Sequence, residues 1–209
     1  MAELGLFPLP IVLVPSERIP LHIFEPRYRE LIDECVENGE EFGLVLSAGD
    51  GAVHEIGTRA AVAQVLEVLD DGSMNIVVEG GERFRLLELT SGRSFTTGLV
   101  EPVEDEDEPP LEADIVRATE VFSELAEAAE SDVDLPDPSS PRYDFELAAR
   151  VDFAVDAKQE LLAMTSPRAR MQALIRLLET AVEAVRLEHT LRERAARNGK
   201  VAPLDPDNL

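Results

Sequence analysis

The chain has 209 residues, 44% of them hydrophobic and 30% charged, so it can bury a packed core and global disorder is disfavoured. Its formal net charge of −24 repels phosphate backbones and anionic lipid surfaces, which argues against nucleic-acid and membrane partners. The single cysteine excludes an internal disulfide, and no apolar run approaches the roughly 20 residues of a membrane span. The acidic start Met1-Ala2-Glu3 is unlike a signal peptide, so we predict a cytoplasmic protein.

The first predicted elements are two extended segments and a helix. The apolar run Leu9 to Val14 predicts a buried strand, Pro15-Ser16-Glu17 a turn, and Arg18 to Phe24 a second extended segment. A helix opens at Glu25-Pro26, because proline is tolerated at the first helical position, and Gly39 stands where a left-handed helix end places glycine. The predicted core-facing stripe of this helix is Tyr28, Leu31, Ile32, Cys35 and Val36.

Short strands with closely spaced turns follow this helix. Asp70-Asp71-Gly72 and Glu79-Gly80-Gly81 predict turns, and the imperfect alternation of Arg59 to Leu69 predicts a strand buried on both faces. About six or seven strands around one helix predict a small barrel or curled sheet, which removes exposed edges. The remaining predicted strands are Phe42 to Ser47, Met74 to Val78, Arg83 to Leu89 and Ser94 to Val103.

The segment 104–110 marks a boundary, because five consecutive acidic residues repel one another and two prolines stop regular pairing. We predict a solvated linker there; the alternative is a metal site or a site for a basic partner. The predicted domain organisation is a β subdomain at 1–103, this linker, a helical subdomain at 111–198 and a flexible tail at 199–209.

The helical subdomain is predicted from apolar residues at helical spacing. A helix begins near Leu111, a proline-rich loop spans 131–142, and a second helix is predicted from Asp144 to Ala154, with KQELLAM continuing or restarting it. Ser166 can cap a last helix that starts at Pro167 and runs to about Arg197, on the order of 45 Å. Its predicted seam is Met171, Leu174, Ile175, Leu178, Val182, Val185 and His189.

Four segments resemble the LON substrate-binding domain, the N-terminal domain of Lon proteases. They read FPLPIVLVP, IPLHIFEPRYRELI, GTRAAVAQVLEVLDDGSMNIVVEGGERFRLLEL and KQELLAMTSPRARMQALIRLL, and the resemblance covers roughly Leu4 to Val185. It implies an α+β fold, in which a PUA-like β pseudo-barrel with an early helix precedes an α-helical bundle that ends in a long helix. It also implies a module that recognises unfolded or extended polypeptide.

Catalytic machinery is not predicted, so we expect a non-enzymatic protein. The sequence contains no GxxxxGK[ST] phosphate-binding loop, and Lys158 and Lys200 offer no plausible Ser-Lys dyad. His22, His54 and His189 are far apart and lack companions at metal-ligand spacing. We therefore predict no cofactor and no metal.

Six residues form a candidate peptide-binding surface. The alternative is that the apolar ones are core, that Glu25 and Arg27 fix the corner before the helix, and that Arg83 and Arg85 pair with the abundant carboxylates. The six residues are Leu21, Phe24, Arg27, Tyr28, Arg83 and Phe84.

Two other function classes stay open. One is an adaptor or scaffold that binds a folded partner through the last helix; the other is a small-ligand or RNA binder, since PUA-like barrels can bind RNA, although the net charge of −24 argues against RNA. Residues 186–200 carry five basic and two acidic side chains, a net of +3, and the rest carries −24 − 3 = −27. This asymmetry predicts association between copies, with a solvated helix end as the alternative.

Overall fold

The computed structural model describes residues 1–49 and 51–198, with side chains left out at 193 and 195–198. Within these residues it contains six strands and five helices, which confirms the α+β class. The predicted flexible tail at 199–209 lies outside the described residues. The strands are β1 (Ala2–Leu9), β2 (Arg18–Ile23), β3 (Phe42–Leu46), β4 (Ile56–Val68), β5 (Met74–Thr90) and β6 (Thr97–Pro102). The helices are α1 (Pro26–Asn38), α2 (Glu112–Ala128), α3 (Tyr143–Ala148), α4 (Val155–Ala163) and α5 (Pro167–Asn198).

The strand pairings close a ring. β1 pairs with β3 in parallel and with β6 antiparallel, and the antiparallel pairs β3–β4, β4–β5 and β5–β6 complete the circuit. Closure depends on β5, whose 17 residues reach β6 from Phe84 onward after pairing with β4. A closed ring leaves no open edge along the segments of its strands that are paired on both sides. The likeness to PUA domains stays a prediction.

A three-stranded extension projects from this ring. It consists of β2, the first half of β5 and the last half of β4, all antiparallel. Its inner face is covered by α1, which buries Tyr28, Leu31, Ile32 and Cys35 in the same core as Ile76. Val36, predicted to join that stripe, is 49% exposed, so its assignment to the core was wrong.

The start of the chain differs from the sequence-based expectation. β1 begins at Ala2 and ends at Leu9, whereas the predicted strand began at Leu9. Pro10 cannot donate to a ladder, so the apolar run beyond it continues without strand pairing. Leu13 and Val14 are still buried, because this connection packs over the cores. Hydrophobicity therefore identified burial but misplaced the strand.

Gly80 lies inside β5, so the turn predicted at 79–81 was wrong. The connection between β1 and β2 approaches the strand there: Ser16 N donates to Gly80 O at 2.8 Å, and Gly80 N donates to Glu17 O at 2.9 Å. A Cβ on Gly80 would lie 2.2 Å from Val14 O. The glycine allows this close approach of two backbones.

β4 is buried only in its first half. Its pairing with β3 ends at Ala60, and every residue from Ala63 to Leu69 is exposed. The prediction that this strand is buried on both faces was therefore wrong for its second half. The hairpin predicted at 70–72 is confirmed, since Gly72 N donates to Leu69 O at 2.9 Å.

The helices pack as a second layer with its own core. Phe122, Leu147, Leu174 and Leu178 are among its buried residues, and Ser166 Oγ accepts a hydrogen bond from Ala169 N at 3.2 Å, the predicted cap of α5. The single helix predicted over 144–154 was wrong. α3 ends at Ala148, and the Arg150 guanidinium caps it by donating to Glu146 O at 2.5 Å.

Candidate functional site

The side of the extension opposite α1 is called here the outer face. Ile23 points into the core, so its neighbours of opposite parity on β2 point outward. The register places Pro20 beside Val77 and His22 beside Asn75, and Asn75 beside Glu67 of β4. The outer face comprises Pro20, His22, Phe24, Leu66, Glu67, Asn75 and Val77.

A polar ladder and an aromatic side chain share this outer face. His22 Nδ1 lies 2.8 Å from Asn75 Oδ1, and Asn75 Nδ2 donates to Glu67 Oε2 at 3.3 Å. The Phe24 ring stacks on the His22 ring with centroids 5.9 Å apart, yet Phe24 remains 63% exposed. A shallow trough of about 570 Å³ lies over the ladder, between Pro20 and Leu66.

Of the apolar side chains on the end of β4, Leu66 lines the trough, whereas Val68 pairs with the core residue Met74 and lies on the side of α1. Leu66 is 53% exposed and Val68 is 63% exposed, and Val65 is also exposed. A large exposed apolar side chain alone is ordinary, but several together mark an interaction surface. On the outer face the exposed apolar side chains are Leu66 of β4 and Phe24, which stacks on His22 at the β2 side.

The structure divides the six predicted surface residues. Phe24 and Arg27 are exposed, and Leu21 is half-buried along the wall of the trough. Arg27 pairs with Glu25 at 2.8 Å and lies over the Tyr28 ring at 4.5 Å, so it does fix the corner before α1. Phe24, predicted as core in the alternative interpretation, lies outside the core.

Tyr28 is buried against Phe7, with ring centroids 4.1 Å apart. Burial raises the pKa of its hydroxyl, although the Arg27 charge partly opposes the shift. Phe84 is fully buried in the ring interior with Leu6 and Val45. Tyr28 and Phe84 therefore support the fold beneath the surface, and an incoming peptide does not reach them while the protein stays folded.

Arg83 lies at the contact between the ring and the helices, called here the joint. Its guanidinium donates to Leu162 O at 2.9 Å and to Met164 O at 2.7 Å, and it pairs with Asp105. Arg170 pairs with the same carboxylate. The prediction that Arg83 pairs with the protein's own carboxylates is confirmed.

The ring of Phe145 packs against both arginines of the joint. The Arg170 guanidinium lies 4.2 Å from the ring centroid and the Arg83 guanidinium 5.4 Å from it. Such cation–π contacts stabilise buried guanidinium groups that have lost water. The joint therefore holds the ring against the helices, and Arg83 contributes by binding backbone carbonyls at the end of α4.

A second ion pair crosses the same contact. Lys158 Nζ pairs with Glu17, and both side chains are at least nine-tenths buried. Glu17 Oε2 also accepts a hydrogen bond from Val14 N at 2.9 Å. Gln159 Nε2 donates to Ile56 O at 3.1 Å beside this pair. Lys158 thus joins α4 to the β1–β2 connection.

The acidic segment 104–110 is partly ordered by these contacts. Asp105 pairs with two arginines, Glu106 N donates to Thr165 O at 2.8 Å, and Ser166 Oγ donates to Glu108 Oε2 at 2.9 Å. Asp105 departs from the predicted solvated linker, because two guanidinium groups pair with its carboxylate although its side chain is 34% exposed. Among the described residues, no three potential ligand side chains come together as a metal site.

The sequence-based reasoning missed the apolar residues at the end of β4. The signal available in the sequence was the imperfect alternation of polar and apolar residues from Arg59 to Leu69, which was interpreted as burial on both faces. In the part of the chain that the structure covers, no helix is both long and apolar enough to cross a bilayer.

A family model described as the ATP-dependent protease La (LON) substrate-binding domain matches residues 3–180. The chain belongs to this family. Lon protease 1 of Hydrogenovibrio crunogenus is 22% identical over 204 residues, which cover 90% of the chain and 25% of that protease. Lon protease of Anaeromyxobacter dehalogenans is 27% identical over 196 residues, which cover 86% of the chain and 23% of that protease. The chain spans about a quarter of the length of these relatives.

Solved structures of LON domains share the fold. A Lon N-terminal domain protein from Xanthomonas campestris superposes with a TM-score of 0.65 at 27% identity, covering 84% of the chain and 98% of that protein. The N-terminal domain of Lon protease from Mycobacterium avium complex gives a TM-score of 0.66 at 17% identity, covering 85% and 98%. Because the identity to the Mycobacterium avium complex domain is only 17%, that similarity shows the fold alone.

Proposed function

We propose that this LON domain binds unfolded or extended segments of protein substrates on the outer face of its three-stranded extension. The family description supports a substrate-recognition module. The observation that carries the proposal is the trough of about 570 Å³ on the outer face, which is lined by the exposed Leu66 and by His22, on whose ring the exposed Phe24 stacks. The catalytic steps of Lon proteases are not proposed for this chain.

The free energy gained by burying the exposed apolar side chains is of the size expected for weak binding. Covering one large apolar side chain contributes roughly 1.5–3 kcal/mol, and ordering a flexible peptide offsets part of that gain. Two such side chains contribute roughly 3–6 kcal/mol before that offset, which corresponds to dissociation constants from about tens of micromolar to millimolar. A recognition module that must release its substrate requires affinities of this size.

The charge of the chain selects among substrates. With a net charge of −24, acidic segments are repelled and neutral or basic ones are favoured. Glu67 lines the trough and extends this preference to the site itself. The same charge supports the proposals that nucleic acids and anionic membranes are not partners.

The proposal is tested with fluorescence anisotropy of labelled lysozyme, either disulfide-intact or unfolded by reduction and neutral alkylation. The two forms carry the same charge, so a preference for the unfolded form isolates recognition of exposed chain. We expect binding of the unfolded form alone at moderate salt. Equal binding of both forms, or none up to high micromolar concentration, contradicts the proposal.

A second function, as an adaptor for a folded partner, is supported by one observation on α5. Leu187 is 60% exposed and Leu191 is 54% exposed, four residues apart on one helical face. Arg186 already pairs with Glu124 of α2 at 3.2 Å, so part of the basic helix end is satisfied within the chain. Association of copies through this helix stays a prediction, tested by light scattering at two salt concentrations.

A further inference from the structure

The free edge of β4 lies beside the outer face. Beyond Ala60, the strand pairings of β4 in the described residues are all with β5, so its other edge has no strand partner from Val62 to Val68. Each residue from Ala63 to Leu69 is exposed. An unpaired edge presents a row of backbone donors and acceptors that can pair with another extended chain.

We propose that the substrate polypeptide adds to this edge as an extra strand of the extension. This inference rests on the proposed function and specifies how the same site holds its ligand. An added strand continues the sheet, so its alternate side chains fall on the outer face beside Leu66 and over the trough. Backbone pairing supplies affinity that does not depend on substrate sequence, as a module for many unfolded proteins requires.

The opposite edge of the extension is less suited to strand addition. β2 carries Pro20, which has no backbone donor, between the polar side chains Arg18 and His22. Proline and charged side chains are the devices by which edge strands avoid pairing. The edge of β4 instead carries Val65, Leu66 and Val68, whose exposed apolar side chains favour contact with a strand.

Two irregularities limit the strength of pairing along β4. The register against β5 shifts between Val62 and Gln64 and again between Val65 and Glu67. Bulges twist an edge and interrupt its ladder, so only a few hydrogen bonds form with any one ligand. The same bulges oppose a second copy as the occupant, and two copies of charge −24 also repel each other. The occupant is therefore an extended, apolar and non-acidic peptide segment.

The test uses a fluorescein-labelled, end-capped nine-residue peptide that alternates valine and lysine. Two matched versions of this peptide carry backbone esters in place of amides, one at three valines and the other at three lysines. Each version therefore lacks N–H donors of one parity and keeps every side chain. In an added strand, donors of only one parity face β4. We expect one ester peptide to bind roughly tenfold or more weakly and the other to bind like the parent.

Hydrogen exchange locates the bound strand. Backbone amides within 62–68 should exchange at least several-fold more slowly with the parent peptide, while those of β2 do not change. Equal binding of all three peptides, or protection confined to β2, overturns strand addition and leaves the proposed function standing. Failure of the parent peptide and of unfolded lysozyme to bind overturns both. Protection of 62–68 by the protein's own dimer at high concentration assigns the edge to a second copy and also overturns the inference.

Discussion

Asp105 and Arg170, 65 residues apart, form a two-pronged ion pair in which Arg170 Nη2 donates to Asp105 Oδ2 at 2.7 Å and Nη1 donates to Oδ1 at 2.9 Å. Asp105 comes from the acidic segment after the ring, and Arg170 from the first turns of α5. Arg83 of the ring pairs with the same carboxylate. One side chain of the acidic segment therefore fastens the ring to the helices.

Replacing Asp105 with Asn should lower the free energy of unfolding by about 2 kcal/mol, because two buried guanidinium groups lose their shared carboxylate. Burial opposes ionisation of Asp105, but the hydrogen bonds and charges of Arg170 and Arg83 outweigh it and hold the pKa of the carboxyl below its ordinary value. The stability from this charge is therefore present above the ordinary Asp pKa of roughly 4 and is lost as the pH falls through the lower folded pKa.

Urea unfolding of wild type and Asp105→Asn between pH 3 and pH 7 measures this difference. The difference in free energy of unfolding between the two proteins should be constant from neutral pH to about pH 5 and should shrink below about pH 4. Asp107→Asn, two residues along in an exposed position, is the matched control and should change stability by less than about 0.5 kcal/mol. A difference that does not depend on pH would contradict a role for the Asp105 charge.

Lys158 and Glu17 should show energetic coupling across the joint. Lys158→Met leaves the Glu17 carboxylate buried without its partner, which should destabilise the protein by about 3 kcal/mol. Glu17→Gln keeps an acceptor for Val14 N. The double variant should therefore lose at least about 1 kcal/mol less than the sum of the singles, as measured by a double-mutant cycle in urea. Additive losses would show that the pair does not act as a unit.

Gly80→Ala should destabilise the protein by about 3 kcal/mol, since its Cβ would lie 2.2 Å from Val14 O and neither backbone can move without breaking its hydrogen bonds. Gly49→Ala is the control, because no atom lies within 4 Å of a Cβ there. Thermal and urea unfolding of both variants measure the effect. Similar stability of the two variants would contradict the close approach.

Cys35 should react slowly with thiol reagents in the folded protein. Burial, with smaller contributions from Glu40 and Glu34, raises the pKa of the thiol to about 11, and the thiolate is the reactive form. We expect slow labelling by a disulfide reagent at pH 8 and complete labelling within seconds to minutes in urea. Immediate stoichiometric labelling without denaturant would mean that Cys35 is accessible.

Local signals in the sequence predicted the elements that depend on local chemistry. Pro26 at the start of α1 and Gly39 at its left-handed end, with φ 66°, follow from backbone preferences of single residues. Gly80 was misassigned because its need for a missing Cβ arises from Val14, 66 positions earlier. Asp105 was misassigned for the same reason, since its partners come from two distant elements.

The outer face was only partly predictable. Phe24 stood out through the family resemblance, and the structure places it at the surface. The exposed end of β4 depends on where β3 stops pairing, which no feature of residues 61–69 encodes. Arg83 and Phe84 were both assigned to the candidate surface, but the helices cover Arg83 and the ring interior encloses Phe84.

The most direct test of the outer face compares the affinity of three proteins for unfolded lysozyme by fluorescence anisotropy. They are wild type, the double variant Phe24→Asp plus Leu66→Asp, and the control Leu89→Asp, which replaces a 51% exposed leucine of β5 outside the outer face. Added negative charge would strengthen any purely electrostatic capture of basic lysozyme, so a weaker affinity identifies apolar contact. We predict roughly tenfold or greater weakening in the double variant and little change in the control. Unchanged or tighter binding by the double variant would contradict substrate recognition by this face.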